Sequence, residues 1–138
     1  MKDILDLAVS STATHHVKNA AGVEQYLNGD REKPVQIVLF GPSTSQYAAV
    51  EARQTARALR RREDNDGKLS APSPEQRLAE TAEDLSELTA SFNNLPYSPA
   101  GEKTGRELFH ALYSDIRLGF IVNQVSKVVS DWGKFASA

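Results

Sequence analysis

The sequence predicts an α+β fold, mostly α, in which a small antiparallel N-terminal sheet packs against about four helices. Three observations predict it. β-prone segments are confined to the stretch between Thr12 and Phe40. From Ser43 onward apolar residues recur every three or four positions, the period of an amphipathic helix. Polar breaks, two of them bearing Gly or Pro and the third at Ser114-Asp115, then divide that region into four helical segments. A chain of 138 residues has room for one core and not for two. Residues 12–138 therefore read as a single domain, and residues 1–11 as either a short helix or a flexible arm.

Taken in order, Ile4, Leu5 and Ala8 have weak helical spacing ahead of Ser10-Ser11-Thr12. Thr14-His15-His16-Val17 is β-prone, Asn28-Gly29-Asp30 is a turn, and Val35 to Phe40 is the best strand, with Pro34 at its start where no ladder donor is lost. Two or three antiparallel strands are expected here. Gly41-Pro42 ends the last strand, and Ser43 is placed to cap a helix running through Tyr47, Val50, Ala56 and Leu59 to about Arg62. Ser73-Pro74-Glu75-Gln76 is a capping box with proline at the first helical position. Leu78, Ala82, Leu85, Leu88 and Phe92 continue that helix until Asn93-Asn94-Leu95-Pro96. Thr104 is placed to cap a third helix carrying Leu108, Phe109, Leu112 and Tyr113. Ser114-Asp115 leads into a fourth, whose stripe is Leu118, Val122, Val125, Val129 and Trp132, flanked by Ile121, Val128 and Phe135. Leu118, Val122 and Val125 are expected to complete the core. Val129, Trp132 and Phe135 are candidates for contact with a partner, with Trp132 and Phe135 at its margin.

Composition narrows the function. Hydrophobic residues at 40% and charged residues at 25% describe a folded chain, and a net charge of -2 is unlike that of a dedicated non-specific nucleic-acid binder. The absence of Cys removes disulfides, thiolate metal sites and cysteine nucleophiles. Asp3 and Asp6 interrupt the first apolar patch, which is wrong for a signal peptide, and the C-terminal apolar tract is too broken to span a bilayer. A cytoplasmic location is expected.

Arg53, Arg57 and Arg60 fall on nearly one face of the first helix, where guanidinium groups could follow a phosphate backbone. The segment from Glu63 to Phe92 is strongly acidic, however, and a basic helix followed by an acidic one favours an antiparallel pair or a charge-complementary subunit. His15 and His16 are adjacent on a strand and point to opposite faces, so they cannot chelate one ion from regular geometry. Gly41-Pro42-Ser43-Thr44-Ser45 lacks the glycine spacing and lysine of a phosphate-binding loop. No base accompanies its hydroxyls. Glu80, Glu83, Asp84 and Glu87 read as a solvated face. No catalytic set, metal site or cofactor site is expected.

Two segments carry a resemblance. Val38-Leu39-Phe40-Gly41-Pro42-Ser43, continuing through Gln46-Tyr47-Ala48 to Arg53, is similar to the strand-turn-helix start of tail assembly chaperones of long-tailed, siphovirus-type bacteriophages. Ser114-Asp115, Leu118-Gly119-Phe120-Ile121, Gln124-Val125 and Asp131-Trp132 through Phe135 resemble the C-terminal signature of the same group. Ser43-Thr44-Ser45 is less glycine-rich than that pattern. The resemblance implies a non-enzymatic protein of the infected host's cytoplasm, absent from the mature virion. It would bind the tape-measure protein, help recruit tail-tube protein and form homo-oligomers. It also implies a longer product made by a ribosomal slip one base back. Trp132-Gly133-Lys134 allows this if Gly133 is encoded GGA, because the message then reads G-GGA-AAR. The alternative is a nucleic-acid-associated regulatory module using the Arg53, Arg57 and Arg60 face.

Overall fold

The computed structural model describes residues 1–136 and has the expected α+β class: a three-stranded antiparallel sheet and four α-helices. The strands β1 (Thr12–His16), β2 (Gln36–Phe40) and β3 (Thr89–Asn93) lie in the order β1-β2-β3. The helices are α1 (Ser45–Asp64), α2 (Pro74–Glu87), α3 (Gly105–Tyr113) and α4 (Gly119–Val129).

The third strand corrects one expectation, since the stretch through Phe92 is not helical. α2 stops at Glu87, and the next residues form β3 on the open edge of β2. Thr89 makes the switch: its Oγ1 donates to the Leu85 carbonyl (2.7 Å), a local bond that competes with helix continuation. That hydroxyl has only one proton, so the Tyr113 hydroxyl 2.7 Å away is the donor to Thr89. Ala90 is bulged out between Val38↔Ser91 and Leu39↔Thr89.

Alternation along β2 places Ile37 and Leu39, both 0% exposed, on the face covered by helices. His15 and Phe92 share the row of Ile37, and Ala13 and Thr89 share that of Leu39. Leu85, Leu88, Leu112, Tyr113, Ile121 and Val125 complete the cluster over this face, with the Phe92 and Phe109 rings tilted against each other at 4.6 Å between centroids. Val50 is the single buried residue of the long helix α1.

The helix starts follow local chemistry. Ser73 and Gln76 form the reciprocal capping box, with Pro74 at the first position. The α1 cap is Thr44 rather than Ser43, its hydroxyl accepting the Tyr47 N–H (3.2 Å). Thr104 stands at the α3 cap position but makes no side-chain cap bond.

The C-terminus also differs from expectation. α4 ends at Val129, and Asp131 accepts the Gly133 N–H to close a short 3-10 turn at Trp132–Phe135. That turn rotates Phe135 into the core (1% exposed) and leaves Trp132 57% exposed. Phe135 is therefore a core residue and not a margin residue. Ile121, Val125, Val128 and Val129 form the buried side of α4, whereas Leu118 and Val122 are only half-buried.

Residues 1–11 form one 3-10 turn (Ile4–Leu7), capped by Asp3 and Asp6, and then meet the C-terminal turn. The Ser10 N–H donates to the Phe135 carbonyl (2.7 Å), and Val9 bridges Ala136. Gly41 is required beneath this closure, because a Cβ there would run into Cγ, Cδ2 and Cε2 of the Phe135 ring. Gly41→Ala is expected to destabilise the protein by about 1–3 kcal/mol, the cost of overpacking a core. A urea midpoint equal to that of the wild type would show that the ring can move aside.

Candidate functional site

The arginine face turns inward. Steps of four residues along α1 place Arg53, Arg57 and Arg61, not Arg60, against α2. Arg53 donates from Nε and Nη2 to Asp84 Oδ1 (3.2 and 3.0 Å) and from Nη2 to Glu87 Oε2 (3.1 Å). Arg57 donates from Nη1 to both Asp84 oxygens (2.9 Å each) and pairs with Glu83 through Nη2 (2.9 Å). Arg61 donates from Nη1 to both Glu80 oxygens (3.0 and 2.9 Å). Glu80, Asp84 and Glu87 are thus the receiving side of an ion ladder rather than a solvated face, and Asp84 is buried. Arg60 lies on the exposed side of α1, outside the ladder. Of the arginines proposed to follow a phosphate backbone, Arg53 and Arg57 are committed within the chain. The basic and acidic surfaces considered for self-association neutralise each other in the same way.

The second candidate, the end of α4, divides. Val129 and Phe135 are buried, and only Trp132 of the three presents its side chain outward.

A third surface was not legible in the sequence. At the end of the sheet where β1 finishes, β2 begins and β3 runs out, a groove of about 490 Å³ opens between the strands and the start of α4. Val17, Val35, Leu95, Leu112, Leu118 and Ile121 give it almost entirely apolar walls. One polar device stands at its rim. Asp115 accepts the backbone N–H of Arg117 (3.0 Å) and both arms of its guanidinium (3.0 and 2.8 Å), while the Tyr97 hydroxyl donates to Asp115 Oδ2 (2.8 Å). This ties the Pro96-Tyr97 segment to the turn before α4. Ile116, within that turn, is 79% exposed. The Asp115-Ile116-Arg117 string was the available sign of such a turn, since Asp readily caps an N–H two residues ahead.

The Arg117 guanidinium, and then the Tyr97 hydroxyl, hold the Asp115 carboxyl well below the usual carboxylate range. A carboxylate with a lowered folded pKa contributes stability that is complete above its unfolded value. That contribution is lost as the pH falls through the folded value. The stability gap between wild type and Asp115→Asn is therefore expected to be constant above about pH 5 and to shrink below about pH 4. Urea titrations across this range test it, and a gap that widens in acid would contradict the assignment.

His15 and His16 each have separate partners. His15 Nε2 meets Gln124 Oε1 (2.8 Å), and His16 Nε2 meets the Gln25 carbonyl (2.8 Å). Gln124 also exchanges hydrogen bonds with the backbone of Lys18 (3.1 and 2.8 Å), locking α4 to the end of β1. Among the described residues, no helix is long and apolar enough to cross a membrane. The chain matches no known protein family, no curated protein and no solved structure.

Proposed function

We propose that the protein is a tail assembly chaperone of a long-tailed bacteriophage, acting by binding and not by catalysis. One observation carries the reading: the two segments that bear the resemblance, far apart in sequence, are a single packing unit. Gly41, in the strand-turn-helix segment, lies directly under the ring of Phe135 in the C-terminal segment. The groove at the far end of the sheet supports the same reading. It has the apolar lining to take one face of an amphipathic helix, the mode by which a helical tape-measure protein would be held. In this role the protein keeps the tape-measure protein soluble in the host cytoplasm, helps bring tail-tube protein to it, and leaves before the virion is complete. A longer form arises by slippage at Gly133-Lys134.

Co-expression with the tape-measure protein tests the proposal. The wild-type chain is expected to raise the soluble fraction of that protein several-fold, and Leu118→Glu, with an unchanged circular dichroism spectrum, is expected not to. No gain in solubility with the wild-type chain would count against the function. An equal gain with Leu118→Glu would move the contact away from the groove.

A further inference from the structure

We propose that the basic pocket between β1, α4 and the C-terminal turn binds a compact, multiply charged oxyanion of the phosphate class. The pocket has a volume of about 440 Å³. Three lysines reach it from separate elements: Lys18 from just beyond β1, Lys127 from α4 and Lys134 from the C-terminal turn. All three are exposed, and none forms an ion pair among the described residues. Glu24 is the one carboxylate on the wall, and His16 engages it through Nδ1.

His15 lies half-buried in the same wall. Burial pushes its pKa down, and Lys18, His16 and Lys134 add to the effect against the opposing bond from Gln124. With Glu24 counted against them, the three lysines still leave the pocket an excess of positive charge among the described residues, which favours a divalent anion. Lysine serves such ligands as a mobile point charge. The three lysines also line one concavity instead of running as a stripe along one element. This favours a small phosphate-bearing molecule over a nucleic-acid backbone or an acidic helix. The inference does not depend on the chaperone reading.

Histidine NMR of the full chain, titrated with inorganic pyrophosphate, provides the test. Saturable movement of the His15 ring signals is expected, together with a rise in the apparent pKa of His15. Affinity should fall as NaCl is raised. Lys127→Ala combined with Lys134→Ala, both exposed positions, is expected to weaken binding at least about tenfold with an unchanged circular dichroism spectrum. Lack of saturable movement at His15 up to about 10 mM pyrophosphate would overturn the proposal. So would equal binding by the double variant. A hexaglutamate peptide that shifts His15 where pyrophosphate does not would also overturn it, assigning the pocket to an acidic protein partner.

Discussion

Phe135→Ala is expected to destabilise the protein by about 3–5 kcal/mol, the usual cost of emptying a buried phenylalanine site. The ring is 1% exposed and belongs to the main core cluster, so the lost transfer energy is nearly complete. Collapse around the vacancy is restricted. Gly41 has no side chain to offer, and the Phe135 carbonyl holds Ser10 at 2.7 Å, so the chain on one side of the ring is tied by its backbone. Trp132→Ala, at a site 57% exposed, is expected to cost less than about 1 kcal/mol despite removing a larger ring. Urea denaturation of both variants decides the orientation of the turn. A small loss for Phe135 together with a large one for Trp132 would reverse it.

That contrast marks where the sequence ceased to be legible. Local chemistry was readable wherever a few neighbouring residues settle the backbone. Ser73-Pro74-Glu75-Gln76 opens α2 as a capping box, and Asn28-Gly29 takes the positive φ angles of a turn. Leu88 and Phe92 keep helical spacing with Leu85, yet Phe92 lies in β3. The Thr89 bond to Leu85 is local, but the open edge of β2 and the Tyr113 hydroxyl that act with it are not. The helical stripe likewise runs through Val129 to Trp132 without interruption, and it is broken by the Ser130 side-chain bond to the Ser126 carbonyl, the tighter Asp131-to-Val128 bond and the Asp131 cap on Gly133. Arg60 and Arg61 are both compatible with a face containing Arg53 and Arg57 until the position of α2 is known. The groove depended on still more distant information, since its walls come from chain segments scattered between Val17 and Ile121.

Asp84→Ala is the other substitution with a large expected effect, a loss of about 3 kcal/mol, at the lower end for breaking a buried ion pair. Asp84 is 6% exposed and accepts hydrogen bonds from Arg53, Gln54 and Arg57, so one carboxylate holds the middle of the α1–α2 contact. The loss stays below the extreme because Arg53 retains Glu83 and Glu87, and Arg57 retains Glu83. Removing all three central charges together, as Asp84→Leu with Arg53→Met and Arg57→Met, is expected to bring stability back to within about 1 kcal/mol of the wild type, because the buried carboxylate leaves with both of its arginines, Glu87 keeps Arg106 at 3.7 Å and Glu83 is exposed. The ladder would then serve specificity more than stability. α1 has one buried residue along twenty, so its register on α2 rests on where the charges meet. Urea midpoints give the energies, and amide exchange along α1 gives the register. A triple variant as unstable as Asp84→Ala alone would show instead that the ion ladder is the principal energetic tie between the two helices.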